Sequence, residues 1–244
     1  MTKTVEFWFD FGSPTAYLAW RQLPKIAEAR GAVIDYRPML LGGVHKATGN
    51  NPPGAVPAKG AYMGRDLQRF AKRYGVELNF NPDFPINTLV LMRGAVAAQG
   101  EGDAFFHKYL ATIFEAMWLK PRNLNDPAEV AAVLREAGFD VDWFLAKTQD
   151  QAVKNGLKAA TEEAVAKGAF GAPTTTAPRT WASRPTGEPT SMSWRRHGHA
   201  VSGASVVAPV RARVTAASAA APSTRSPATS TGLRLASTTI TDPP

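Results

Sequence analysis

Cysteine is absent from the 244 residues of this chain. Its absence excludes disulfide bonds, a protein thiolate as nucleophile and metal sites built on cysteine, and with them thiol–disulfide exchange by the chain itself. The four histidines show no spacing typical of a zinc site, so we expect no bound metal.

Long apolar runs are also missing. No uncharged run reaches the roughly 18 residues that a membrane-spanning helix needs. No apolar segment near the N-terminus follows a basic one, as it would in a signal peptide. We therefore expect a soluble, cytoplasmic protein with no membrane partner.

Phenylalanine, tyrosine and lysine are all lacking from residues 175–244. Eight arginines stand there against only Glu188 and Asp242, so six of the eight net positive charges lie in this segment and the rest of the chain is nearly neutral. Its apolar runs are broken by proline, which predicts a low-complexity, disordered tail.

The abundance of Arg, Ala and Pro in residues 175–244 suggests out-of-frame reading of a GC-rich gene. A genuine basic tail that contacts acidic partners is the alternative, and nucleic-acid binding is the function least expected of it.

A strand, a turn and a helix begin the chain. The β-branched and aromatic residues in 5–11 predict a strand, and Gly12 allows a turn. Ser13 is suited to cap a helix in which Pro14 occupies the first position. The Ser13 hydroxyl would then lie at the positive end of the helix dipole, where an anion is stabilised. The residues alone leave open whether Ser13 is only a cap or also an anion-binding group.

A βαβ unit follows from the pattern of the next residues. The helix is expected over 14–30 with a kink at Pro24, and a second strand over 33–39. The Gly-, Asn- and Pro-rich residues 40–57 predict a long loop, which is typical of a functional or mobile segment. Lys46 in this loop is either a solvated charge or a contact for an anion.

Helical periodicity continues from residue 58 for more than 100 residues, with apolar stripes that we interpret as core. Asn87 can cap one of these helices, and Asp126 begins a capping box. The proline-rich segment 80–88 either lines a pocket or forms a rigid turn. Ala172–Pro173 precedes a further strand and is a candidate for a cis peptide bond.

Five motifs, in this order and spacing, resemble the 2-hydroxychromene-2-carboxylate isomerases and the related kappa-class glutathione transferases of the DsbA-like branch of the thioredoxin fold. The motifs lie at 9–19, 37–44, 66–69, 84–88 and 171–174. Together they extend the resemblance over residues 5–174.

The resemblance implies an α/β thioredoxin-like, DsbA-like fold with a large all-helical insertion. Residues 1–57 would form the N-terminal βαβ half, 58–148 the insertion, and 149–174 the return to the thioredoxin-like domain. The family's last hairpin, its glutathione-binding Gly-Asn/Gln-Asp segment and its last helix are not recognisable in 175–244. We therefore expect the C-terminal strands and helix to be missing or disordered, which would leave an exposed sheet edge.

The resemblance also implies a glutathione cofactor, because the family places Ser13 where thiol oxidoreductases place their first cysteine. Ser13 would hold the glutathione sulfur as a thiolate. The implied reaction converts 2-hydroxychromene-2-carboxylate to trans-o-hydroxybenzylidenepyruvate in aromatic, naphthalene-type catabolism. The thiolate adds to the ring-opened substrate, the former double bond rotates and glutathione is eliminated.

Further residues receive roles from the same resemblance. Lys46 would pair with the substrate carboxylate, and Asn50, Phe84 and Asn87 would lie near the substrate. The Ala172 backbone would hydrogen-bond glutathione beside a cis Pro173, and the protein would be a homodimer. A transferase acting on other electrophiles at the same serine is one alternative. An inactive truncated member, or a non-catalytic binding protein, is another.

Overall fold

The computed structural model describes residues 3–176. The predictions for 175–244, which concern a disordered tail, missing C-terminal elements and the reading frame, lie outside the described residues except at Thr175 and Thr176, where a strand forms instead of the expected tail. Within the described residues the structure has the thioredoxin-like, helix-rich α/β fold that the sequence predicts. The domain boundaries after residues 57, 148 and 174 stay a prediction.

The first βαβ unit is confirmed. Strand β1 (Lys3–Phe9), helix α1 (Pro14–Ala29) and strand β2 (Ala32–Pro38) follow one another, and the two strands pair in parallel. The prediction placed β1 two residues too late, because Asp10 already belongs to the turn: its carboxylate accepts a hydrogen bond from the Gly12 N–H at 2.8 Å.

Helix α1 begins as the sequence predicts. Ser13 has extended dihedrals (φ −102°, ψ 114°), and its side chain accepts a hydrogen bond from the Ala16 N–H. Pro24 lies inside α1, and the helix continues past it to its end. The kink expected at Pro24 stays a prediction.

The prediction of a loop over 40–57 is wrong. Helix α2 (Leu41–Thr48) and a short 3₁₀ turn (Pro53–Ala55) occupy most of it. Two long-range contacts explain the difference: the Leu41 N–H donates to the Asp10 carboxylate at 2.8 Å, and the Leu40 N–H donates to Thr161 at 3.0 Å. These contacts satisfy backbone groups at the start of a helix whose own residues offer no cap.

Six further helices follow in the described chain, and the apolar stripes predict all of them except the one over 141–149. They are α3 (Pro57–Tyr74), α4 (Leu89–Gln99), α5 (Asp103–Trp118), α6 (Pro127–Glu136), α7 (Val141–Gln149) and α8 (Gln151–Ala166). Asp126 caps α6 through the Ala128 N–H, but the other half of the expected capping box is not made, because Glu129 pairs with Arg122 at 2.7 Å. No helix in residues 3–176 is long and apolar enough to cross a membrane.

Strand β3 (Thr174–Thr176) completes the sheet, whose order is β2–β1–β3 with β3 antiparallel to β1. Glu6 of β1 accepts hydrogen bonds from Thr176 on β3 and from Lys167, which follows α8. The other face of β1 enters the main core, where Phe7 and Phe9 stack and Phe9 contacts Phe114 of α5. The sheet is thus fixed between the helices, with the carboxyl end of β1 leading into the Ser13 turn.

Candidate functional site

The Ser13 side chain is held at the first turn of α1. It is only 4% exposed, and its Oγ accepts a hydrogen bond from the Ala16 N–H at 3.1 Å. The Ser13 N–H donates to the Asp10 carbonyl at 3.1 Å, which closes the turn from β1. The hydroxyl therefore lies at the positive end of the α1 dipole, where negative charge is stabilised.

Three oxygen atoms meet beside this helix end. Ser13 Oγ lies 2.8 Å from Thr15 Oγ1 and 2.8 Å from the Ala172 carbonyl oxygen, and Thr15 Oγ1 lies 2.9 Å from the same carbonyl. We call this set the hydroxyl triangle. The Ala172–Pro173 bond is cis, as the sequence suggested. The fold thus brings Ser13 against the Ala172–Pro173 segment, which is remote in sequence.

Asp10 is a completely buried carboxylate behind the Ser13 turn. Its oxygens accept hydrogen bonds from the Gly12 N–H and the Leu41 N–H, both at 2.8 Å, and from the Thr88 side chain. Burial raises the pKa of Asp10, against these hydrogen bonds and the nearby His45, which lower it. One carboxylate therefore ties the start of α1 to the start of α2 and to the residue preceding α4.

Helix α2 carries His45 and Lys46 on its last turn. Burial lowers the pKa of His45, while the Asp10 carboxylate acts to raise it. Lys46 is exposed on the surface of the helix. Its position is fixed through the attachment of α2 to Asp10, and its role toward a substrate stays a prediction.

Asn50 and Phe84 contact segments adjacent to the hydroxyl triangle. The Asn50 side chain donates to the Phe170 carbonyl at 2.8 Å, two residues before Ala172. The Phe84 ring lies 5.8 Å from the Trp118 ring, and the indole N–H of Trp118 donates to the Phe11 carbonyl at 2.8 Å. The structure therefore connects both residues to the Ser13 region indirectly.

Asn87, predicted as the N-cap of α4, lies one residue before that position. Its side-chain oxygen accepts a hydrogen bond from the Leu89 N–H at 3.1 Å, while Thr88 occupies the cap position. The Asn87 N–H donates to the Asn125 side chain. The additional role of Asn87 near a substrate stays a prediction.

A cavity of about 190 Å³ lies between α1 and α3 and extends to β3. Apolar side chains of the two helices form most of its wall, and Thr15, Asp66 and Pro173 also contribute to it. The four residues assigned to the substrate by resemblance are not among the described residues that line this cavity. Because Thr15 belongs both to the cavity wall and to the hydroxyl triangle, the cavity adjoins the triangle.

Asp10 and Thr15 are the functional features that the sequence reasoning missed. An acidic residue at the end of a buried strand, followed by Gly-Ser-Pro, was the available signal for Asp10. Gly12 stands in a tight space: a Cβ atom there would lie 3.2 Å from Thr88 Cγ2 and 3.3 Å from the Asp10 carboxylate. Thr15 gave no signal, because its partner Ala172 is distant in sequence.

Known proteins show the same fold and related sequences. The profile of the DSBA-like thioredoxin domain matches residues 4–185, beyond Thr174 where the recognisable motifs end. The 2-hydroxychromene-2-carboxylate isomerase of Sphingobium xenophagum is 33% identical over 178 residues, which cover 71% of this chain and 88% of that protein. The glutathione S-transferase kappa 1 of Homo sapiens is 30% identical over 185 residues, which cover 72% of this chain and 82% of that protein.

A solved structure supports the same relationship. The structure of a 2-hydroxychromene-2-carboxylate isomerase matches with a TM-score of 0.63 at 29% identity, covering 71% of this chain and 84% of the other. The profile match, the sequence relatives and this structure agree on one fold and one group of proteins. The chain therefore belongs to the DsbA-like thioredoxin-domain family, where its relatives are the 2-hydroxychromene-2-carboxylate isomerases and the kappa-class glutathione transferases.

Proposed function

We propose that this protein is a glutathione-dependent cis–trans isomerase that converts 2-hydroxychromene-2-carboxylate to trans-o-hydroxybenzylidenepyruvate. The observation that carries the proposal is the Ser13 hydroxyl, fixed at the N-terminus of α1 beside Ala172. The chain has no sulfur nucleophile of its own, so an external thiol is needed for this chemistry. A homodimer, a cytoplasmic location and a place in aromatic catabolism belong to the same proposal and rest on the resemblance.

The residues present fit a thiolate ligand. Ser13 offers a hydroxyl donor at the positive end of the α1 dipole, and both the hydrogen bond and the dipole stabilise negative charge. Glutathione, when bound, supplies the thiolate that adds to the ring-opened substrate and is later eliminated. Ser13 donates its hydroxyl proton in a hydrogen bond to the sulfur, and the Ala172 backbone binds the tripeptide next to Pro173.

The remaining residues orient the substrate in this proposal. Lys46 neutralises the substrate carboxylate, while Asn50 and Asn87 offer side-chain amides and Phe84 an aromatic face. The charge that develops on the substrate during the addition needs fixed donors and cations of this kind. Lys46 is exposed and so has the freedom to reach a ligand.

A transferase that joins glutathione to other electrophiles is the second candidate. It is favoured by the apolar cavity next to Thr15, which offers room for an uncharged electrophile and whose wall contains the Asp66 carboxylate rather than a cation. A panel of neutral electrophiles and the chromene carboxylate separates the two functions, because only the isomerase regenerates free glutathione.

The first experiment measures glutathione binding to the full chain by calorimetry, followed by the isomerase assay. We expect one saturable site and turnover of the chromene carboxylate. Ser13→Ala should lower turnover about a hundredfold, as loss of one preorganised donor does, and change glutathione affinity much less. Thr112→Ala is the matched control, since it removes a hydroxyl whose hydrogen bond, to the Lys108 carbonyl, stays within α5 on its exposed side.

Two outcomes would contradict this function. An absence of glutathione binding, with the helical circular dichroism intact, would identify the chain as an inactive member of its family. Equal turnover by wild type and Ser13→Ala would exclude Ser13 as the group that activates the thiolate.

A further inference from the structure

The hydroxyl triangle has three short oxygen–oxygen contacts but only two hydroxyl protons to make hydrogen bonds. Ser13 and Thr15 each carry one hydroxyl proton, and the Ala172 carbonyl oxygen has two lone pairs. Either both hydroxyls donate to the carbonyl, or one donates to the other and the second donates to the carbonyl. In the second arrangement one hydroxyl alone satisfies Ala172.

Before the Ser13 hydroxyl can donate to a bound sulfur, it must give up its hydrogen bond within the triangle. If the Ser13 hydroxyl turns away from Ala172, the carbonyl loses one hydrogen bond, and an acceptor left without a partner raises the free energy. The loss is avoided when a second hydroxyl still donates to the carbonyl. Thr15 Oγ1, at 2.9 Å from the Ala172 oxygen, is in place to do so.

We propose that Thr15 is a positioning residue that releases the Ser13 hydroxyl for the glutathione sulfur by taking over the hydrogen bond to the Ala172 carbonyl. This inference rests on the proposed function. The thiol proton passes to solvent, and no bond of the protein is formed or broken. Thr15 acts through Ser13 and requires no contact of its own with the sulfur.

The location of Thr15 supports this role. It belongs both to the hydroxyl triangle and to the wall of the cavity between α1 and α3, whereas Ser13 is nearly completely buried. Thr15 is thus half-buried on the open side of the network. The titratable groups around the turn are Asp10 and His45 behind it and Asp66 on the cavity wall. All three are unchanged in the variants below.

The test measures the pKa of glutathione bound to the full chain by following the ultraviolet absorbance of the thiolate as pH is varied. The absence of cysteine makes the ligand the only thiol in the sample. Thr15→Val keeps the shape of the side chain but removes the hydroxyl, and Thr15→Ser restores it. We expect Thr15→Val to raise the pKa of bound glutathione by about one unit, which is a tenfold decrease in the acid dissociation constant of its thiol. Thr15→Ser should return the pKa to the wild-type value.

A second comparison separates positioning from a structural effect. In a Ser13→Ala background, Thr15→Val should change the thiol pKa little, because there is no Ser13 hydroxyl left to release. An equal shift in both backgrounds, or no shift in the wild-type background, would overturn the inference. Unfolding midpoints of all variants identify any loss of folded protein.

The failure of the proposed function has a different signature. If wild-type protein does not lower the pKa of glutathione below that of the free tripeptide, the proposed function fails and the inference fails with it. If wild type lowers the pKa and Thr15→Val lowers it equally, only the role of Thr15 is refuted.

Discussion

Gly94 on α4 faces Tyr109 of α5 and Phe144 of α7. A Cβ atom added there would lie 2.7 Å from Tyr109 Cζ and 2.5 Å from Phe144 Cε2, and closer still to the Tyr109 hydroxyl. Tyr109 is completely buried, and its hydroxyl donates to the Leu91 carbonyl at 2.9 Å. We therefore predict that Gly94→Ala strongly destabilises the protein, although alanine is the better helix former.

The magnitude follows from three contributions. Overpacking of a dense core costs about 1–3 kcal/mol. Displacement of the Tyr109 hydroxyl from Leu91 leaves a buried donor without a partner, at about 1–3 kcal/mol. The higher helix propensity of alanine returns about 1 kcal/mol. The net loss is about 3 kcal/mol, or a decrease in Tm of about 9 °C for a domain of this size.

Urea unfolding followed by circular dichroism measures this loss. Gly64→Ala on α3 is the matched control, because a Cβ atom there has no neighbour within 4 Å. It should stabilise the protein by about 0.5–1 kcal/mol. Tyr109→Phe in the Gly94→Ala protein removes the atom with the closest contact, so the double variant should be more stable than the sum of the two single changes implies.

Three results would refute the reasoning. Gly94→Ala with wild-type stability would show that α5 and α7 move apart easily. Equal destabilisation by Gly94→Ala and Gly64→Ala would attribute the effect to the helix backbone rather than to packing. Strict additivity with Tyr109→Phe would exclude the Tyr109 hydroxyl as the source.

Three further predictions concern the turn and the sheet. Trp118→Phe removes the buried hydrogen bond to the Phe11 carbonyl and should destabilise by about 1–3 kcal/mol in urea unfolding; unchanged stability would exclude this bond as an anchor. Asp10→Asn leaves only one side-chain oxygen for two backbone N–H donors and should lower Tm; a Tm equal to that of wild type would contradict the hydrogen-bonding role. Burial acts to raise the pKa of Glu6, but its hydrogen bonds, above all the one from Lys167, outweigh burial and lower the pKa. Near the ordinary value of 4.5, the unfolded state therefore binds more protons than the folded state. Wild type should therefore lose stability as pH falls from about 5 through the lowered pKa, and Glu6→Gln should show a shallower slope in urea titrations across this range; parallel slopes would refute the assignment.

Local signals were sufficient for the start of α1. Ser13 and Pro14 are adjacent in sequence, so the cap and the first helical position were readable without any long-range contact. The apolar stripes of the later helices were readable for the same reason, since each depends on spacing within one helix. The fold class followed from the resemblance to a known family that the order and spacing of five short motifs carried.

Long-range contacts account for what the sequence did not reveal. Helix α2 begins at a backbone N–H that bonds to Asp10, which is distant in the chain, so a Gly- and Asn-rich segment was predicted to be a loop. The hydroxyl triangle joins Ser13 and Thr15 to Ala172 through the fold alone. Lys46 lies on α2, which the sequence predicted to be a loop. Its role is therefore the one that the sequence determines least.

The attachment of three segments to the Asp10 carboxylate also has a consequence for how such a protein can diversify. The beginnings of α1 and α2 and the residue Thr88 share one buried anchor, so a shift at any of them is transmitted to the other two. Lys46, farther along α2, is exposed and is not among the residues that hydrogen-bond the Asp10 carboxylate. New substrate preferences are therefore expected to arise from substitutions one or two turns away from Asp10, while the constellation around Ser13 is inherited as a unit.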